Sequence, residues 1–201
     1  MREYRDGCCS HWVLGGSNGK YVFADEIWKR GLLSSVVEVQ KTCPMIVYAF
    51  CVLDGEAHFL VRQQKDRAGW AAGQVVEKFG EYVMRALGIC DVPIKVSISF
   101  PGEMEDEELI ALCIRIHLLP QQKRCVRRYS DYYWSSYREY FHSQDLGLTH
   151  TGAVLDLLDG NAGKARKKFA ALHRQMLEWG QAGAECFPKD PGMGEKGQWK
   201  K

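Results

Sequence analysis

The chain has 201 residues, which suits one compact domain or one domain with a short appendage. Hydrophobic residues make up 46%, enough for a sizeable core, and a formal net charge of only +2 excludes a global field that would announce nucleic acid. Any basic footprint must be local.

His11 to Leu14 is a short strand-like run, closed by Gly15, Gly16 and the turn-prone Ser17-Asn18-Gly19. After Asp25, which stands as an N-cap, Trp28, Leu32, Val36 and Val39 recur at helical steps. Met45 to Leu53 is rich in Val, Ile, Tyr and Phe and reads as a buried strand. Asp54-Gly55 then gives a two-residue hairpin signal, because both positions tolerate positive φ. Glu56 to Gln63 is the return strand, and alternation places Glu56, His58 and Leu60 on one face with Ala57, Phe59 and Val61 on the other. Trp70 to Leu87 reads as a second helix carrying Val75, Val76, Phe79 and Val83. Pro93 to Phe100 alternates as a half-buried strand does, and Pro101-Gly102 ends it.

A third helix runs from about Glu105 to Leu118, with a first turn full of carboxylates that suit a helix N-terminus. The order strand, helix, strand, strand, helix, strand, helix predicts an α+β fold. It is a ferredoxin-like antiparallel sheet with helices packed on one face, plus a C-terminal helical extension. Beyond Pro120 the character shifts: Gln121 to Arg128 is basic and Tyr129 to Phe141 is aromatic and serine-rich. Two further helices are expected, Ala153 to Leu158 with Thr151 as cap, and about Gly163 to Trp179. The chain thus divides into an α+β domain over 8–120, a basic and aromatic segment with helices packed on it over 121–180, and a disordered tail over 181–201.

Cysteine usage points away from a disulfide framework, although there are eight. Cys51, Cys90 and Cys113 lie in apolar stretches, where a free thiol behaves as a small hydrophobe, and no C-x-x-C spacing supports structural zinc. Met1 to Gly7 is charged and lacks the apolar core of a signal peptide, and no run approaches the roughly 20 apolar residues that span a membrane. A reduced, cytoplasmic protein without a membrane partner is the expectation.

Three stretches carry a family resemblance. The first runs from Val47 to Val61, Val-Tyr-Ala-Phe-Cys-Val-Leu-Asp-Gly-Glu-Ala-His-Phe-Leu-Val; the second is Ile114-Arg-Ile-His-Leu-Leu-Pro120; the third is Tyr132-Tyr-Trp-Ser-Ser-Tyr137. In order and spacing they resemble the REP-associated tyrosine transposases and their insertion-sequence-200-like cousins, over about His11 to Arg174. The corresponding family patterns are Tyr-Ala-Tyr-Cys-Leu-Met-x-Asn-His-Val-His-Leu-Leu, Tyr-Ile-His-x-Asn-Pro and Tyr-x-Trp-Ser-Ser-Tyr.

The resemblance implies single-strand DNA chemistry. In that family one tyrosine attacks a backbone phosphate and becomes covalently linked to it, which splits a hard transfer into two easier ones. Two histidines separated by one residue hold a divalent metal that polarises the phosphate, since that spacing points both to one face of a strand. Here Glu56 stands at the first histidine position and His58 keeps the second. A Glu-x-His pair still offers ligands to Mg or Mn; the alternative is a solvated Glu56 and a histidine satisfied by the core. The tyrosine position holds Arg115, which stays protonated and cannot attack, and the asparagine position holds Leu119. Only His58 is unchanged, so the site is degenerate. Arg115 can instead grip a phosphate bidentately.

Lys123, Arg124, Arg127 and Arg128 form the densest basic cluster, with Tyr129, Tyr132, Tyr133 and Trp134 just after it. Cations interleaved with rings suit single strands, whose bases stack while phosphates meet charge. Lys164, Arg166, Lys167 and Lys168 form a second run, which reads as an exposed helix face. The expected protein is transposase-like, binds single-stranded or hairpin DNA or else RNA, and is impaired in catalysis. Two alternatives stand beside it. One is an active transposase with a Glu56/His58 metal site and a non-standard nucleophile such as Tyr82. The other is a homodimeric interaction scaffold that uses the aromatic segment Tyr132 to Tyr140.

Overall fold

The computed structural model describes residues 7–17, 21–64, 67–90, 94–99, 104–141 and 147–181. The tail expected over 181–201 lies outside these from residue 182 onward, as do Pro93 and Phe100 at the two ends of the fourth strand. In chain order the elements are β1 (Cys8–Gly16), α1 (Glu26–Thr42), β2 (Met45–Val52), β3 (Glu56–Gln63), α2 (Ala68–Leu87), β4 (Ile94–Ser99) and α3 (Asp106–Gln122). Short 3-10 turns at Tyr129–Asp131 and Ser136–Tyr140 lead to α4 (Thr151–Leu158) and α5 (Ala162–Gln181). The strands form one antiparallel sheet in the order β2-β3-β1-β4, the ferredoxin-like arrangement that the alternation of elements predicts. No helix among the described residues is long and apolar enough to cross a membrane.

Local chemistry sets most boundaries. Asp25 caps α1, its carboxylate accepting from the Ile27 amide at 3.0 Å. Glu105 and Glu108 close α3 with a reciprocal capping box, ahead of the acidic first turn. Thr151, expected as the cap of α4, is instead its first helical residue, and His150 takes the cap. Nor does α3 stop at Leu118. It continues through Pro120 to Gln122, because a proline in the last turn removes one amide donor while its ring is buried. The Asp54-Gly55 turn forms where expected but without positive φ at either residue. Tertiary contacts hold it: the Asp54 carbonyl accepts from the Phe23 amide at 2.8 Å, and its carboxylate accepts from buried Lys29 at 2.6 Å.

Period-two alternation splits the core into two layers. Trp12, Leu14, Phe50, Ala57, Phe59 and Val61 face α1 and α2. Tyr48, Cys51 and Leu60 face α3, α4 and α5 on the opposite side. Glu56 and His58 share the Leu60 phase, so they turn toward α3. Tyr82 belongs to the other layer: α1 and α2 approach so closely there that a Cβ on Gly31 would lie 2.3 Å from its ring. The sheet therefore separates Tyr82 from Glu56 and His58, which removes it as a stand-in nucleophile at that position.

The outer edge of β2 is closed by the Trp-Ser-Ser segment and by the approach to α4. The Val52 amide donates to the Trp134 carbonyl, the Phe50 amide to Ser136 Oγ and the His150 amide to the Val47 carbonyl, each at 2.8 Å. An edge strand so covered cannot template pairing with another chain.

Candidate nucleic-acid interface

The return strand of the hairpin and the third helix meet. Between them lies a pocket of about 200 Å³ lined by His11, Val13, Glu56, His58, Leu112, Arg115, Ile116, Leu119, Gln122 and Lys123. Three side chains singled out by position in the sequence, Glu56, His58 and Arg115, thus share one concavity with Lys123 from the basic cluster. Leu119 sits in its wall as an apolar surface.

His11 is the addition that sequence reasoning missed. It comes from central β1, whose pairing sets Val13 opposite His58 and His11 opposite Leu60. His11 Nε2 lies 3.1 Å from His58 Nδ1, and the two rings stack at 5.3 Å. The signal available was alternation: with Trp12 and Leu14 in one layer, His11 and Val13 must face the other.

Electrostatically the pocket is a short relay. Glu56 Oε1 lies 3.3 Å from His58 Nε2 and 3.1 Å from Lys123 Nζ. The first approach lacks ideal hydrogen-bond alignment, so Nε2 is buried with Glu56 beside it but not well directed. Even so, His58 first, and Lys123 after it, hold the Glu56 carboxyl down to about 2. Burial lowers His11 to about 3, and His58 and the Arg115 guanidinium add to that shift, so His11 is neutral. His11 and His58 thus share one ring-to-ring hydrogen bond between Nε2 and Nδ1.

This donor set does not fit a Mg or Mn ion. The Glu56 oxygen that would coordinate it already holds the Lys123 ammonium, and Arg115 brings a second cation to the same wall. Among the described residues no group of three or more His, Cys, Asp or Glu side chains is placed to hold a metal. None of the described residues that line the pocket carries a hydroxyl or thiol. An anion meets better terms, with two cations against one carboxylate.

The rest of the basic cluster lies outside the pocket lining. Arg124, Arg127 and Arg128 are exposed, and Arg128 Nε pairs with Asp131 at 2.9 Å. Arg124 ends α3 at φ 60, the left-handed conformation that favours glycine. A helix end that keeps arginine there accepts strain beside a candidate site. Arg124→Gly is expected to stabilise the fold by about 1 kcal/mol in denaturant titrations.

Most of the following aromatic residues are structural. Trp134 is buried, Tyr132 donates its hydroxyl to the Val52 carbonyl at 2.8 Å, and Tyr140 donates to the Tyr48 carbonyl at 2.6 Å. Tyr129 stacks on His173. Only Tyr133 among these rings is strongly exposed. The second basic run is partly tied down as well: Arg166 Nε donates to the Tyr140 carbonyl and Lys168 pairs with Asp159.

Behind the pocket wall lies a buried polar chain that composition did not announce. His173 Nδ1 lies 2.8 Å from the Phe169 carbonyl, His173 Nε2 lies 3.1 Å from His117 Nδ1, and His117 Nε2 lies 2.8 Å from Ser136 Oγ. Burial keeps both histidines neutral, and the carbonyl at one end fixes every proton. His173 donates to Phe169, His117 to His173 and Ser136 to His117, while Ser136 accepts from the Phe50 amide. The chain ties α5, α3 and the Ser136–Tyr140 turn to β2 with no buried polar atom left over along it.

No protein-family model matches the sequence, and no curated protein matches it. Among solved structures the chain is similar to a REP-associated tyrosine transposase bound to a REP hairpin. The TM-score is 0.55 at 15% identity, covering 69% of this chain and 82% of that one. The two share a fold.

Proposed function

We propose that this chain is a divergent, transposase-like nucleic-acid-binding protein that grips a phosphate of single-stranded or hairpin DNA in the β3–α3 pocket without cutting it. The observation that carries the reading is the convergence of Arg115 and Lys123 on one small concavity beside His58. Arg115 offers a planar fork suited to two phosphate oxygens and Lys123 a point charge, while exposed Arg124 and Arg127 extend the cationic track past the end of α3. The shared fold with a hairpin-bound transposase supports the choice of nucleic acid over other polyanions. The substitution of arginine for the attacking tyrosine, and a lining without hydroxyl or thiol, support binding over cleavage.

Phosphate contacts release counterions, so the test is a salt titration. With Arg115, Lys123, Arg124 and Arg127 engaged, the logarithm of affinity for a single strand should fall with the logarithm of salt at a slope near −3, at about 0.7 per contact. Failure of hairpin and single-stranded oligonucleotides to bind more tightly than to a neutral control protein at low salt would end the proposal. A covalent protein–DNA adduct on a denaturing gel after incubation with Mn²⁺ would instead revive the active transposase.

A further inference from the structure

A second concavity, of about 380 Å³, lies between α1 and the aromatic segment. Leu33 and Val37 form its apolar floor, Tyr133 and Trp134 one wall, and Arg30 and Lys41 bring charge to its rim, where Glu38 is the one acid. Tyr133 is 58% exposed, whereas Trp134 is only 7% exposed. The two rings meet edge to face at 5.0 Å, with Arg30 5.9 Å from the Trp134 centroid and Arg138 5.9 Å from that of Tyr133. A large exposed ring whose hydroxyl makes no hydrogen bond among the described residues, beside an open groove and flanked by cations, is not explained by packing.

We infer that this groove is a nucleobase-stacking subsite, in which Tyr133 receives an unpaired base of the same strand whose phosphate sits in the Arg115–Lys123 pocket. The inference rests on the binding reading above and adds which part of the ligand is read here. Charge complementarity names the occupant. Arg30, Lys41 and Arg138 outnumber Glu38 and Glu26, the latter 3.9 Å from Arg30, so a negatively charged guest is favoured, and the ring wall and apolar floor suit a flat apolar face. A nucleotide presents both together. In this reading the strand runs from one concavity to the other around the hairpin turn. Lys123 lines the first. Beside the second lies Lys29, buried against Asp54 at 2.6 Å and 6.0 Å from the Trp134 ring centroid.

The experiment uses the full chain and two probes of equal length, an oligothymidine and the same sugar-phosphate oligomer without bases. Tyr133→Ala should weaken oligothymidine binding by roughly 5- to 100-fold, the range for one stacked base, leave the base-free oligomer unchanged, and be rescued by Tyr133→Phe or Tyr133→Trp. Because Tyr133 is exposed, its thermal midpoint should match the wild type. Equal weakening on both probes, or no weakening on either, overturns the subsite while leaving the phosphate pocket intact. If the wild-type chain binds neither probe, both the pocket and the subsite are wrong.

Discussion

Arg115→Ala is expected to lower affinity for a single-stranded or hairpin oligonucleotide by roughly 10- to 100-fold at low salt, the loss of a charge-assisted hydrogen-bond pair. Arg115→Lys should fall between, since it keeps the charge and loses the fork. Lys123→Ala should flatten the salt dependence by about one contact. Glu56→Gln works the other way. The Glu56 carboxylate is ionised across the working pH range and engages Lys123, so neutralising it frees that ammonium and removes a repulsion from the phosphate. A gain of roughly 5-fold is expected, on the order of 1 kcal/mol, as for unit charges about 4 Å apart in water. Fluorescence anisotropy with labelled oligonucleotides measures all four. Affinities for Arg115→Ala and Lys123→Ala within about twofold of wild type would locate the binding surface elsewhere.

How much of this was legible in the sequence follows from the range of each interaction. The βαββαβα order, the capping of α1 by Asp25 and the facing of Glu56 with His58 depend on neighbours a few residues away, and they read directly. The expected separation of β3 residues between faces holds throughout: Ala57, Phe59 and Val61 in one layer, Leu60 in the other. What was not legible depends on long-range meetings. His11 joins His58 across 47 positions, and His117 joins His173 across 56. Lys29 sits in an ordinary amphipathic pattern, and only the arrival of Asp54 makes its burial tolerable. The aromatic segment misled in a different way. The rings after the basic cluster suggested stacking on bases, yet Tyr129, Tyr132 and Trp134 are drawn into packing or backbone hydrogen bonds.

The second large effect is on stability. His117→Phe keeps a ring among Tyr140, Phe169 and Tyr137 but breaks the polar chain in its middle. Ser136 can turn its hydroxyl to the Phe50 carbonyl at 3.2 Å, whereas His173 Nε2 loses its only donor. A cost of about 2–4 kcal/mol is expected for an unsatisfied buried acceptor within a network. Ser136→Ala, which removes a smaller group, should cost less. The same chain predicts the pH response. Burial depresses His173 to about 4 and His117 well below its ordinary value of 6.5, so the unfolded state takes up protons first as pH falls. Stability should therefore be fully present above about pH 6.5 and decline toward pH 4, by up to about 1.4 kcal/mol per pH unit for each histidine. Urea midpoints across that window check this, and His117→Phe should show a shallower decline. An unchanged slope in the variant would mean that other groups govern the acid response.

The covering of β2 by residues 134–136 and 150 bears on where the chain can be shortened. A polypeptide stopped after Gln122 would retain every strand and both helices of the first layer, yet β2 would present bare amides and carbonyls along its outer side. Such a stretch recruits whatever extended chain is nearby, including another copy of itself. The aromatic segment is thus the finishing seam of the sheet, and the smallest self-contained unit reaches at least through His150.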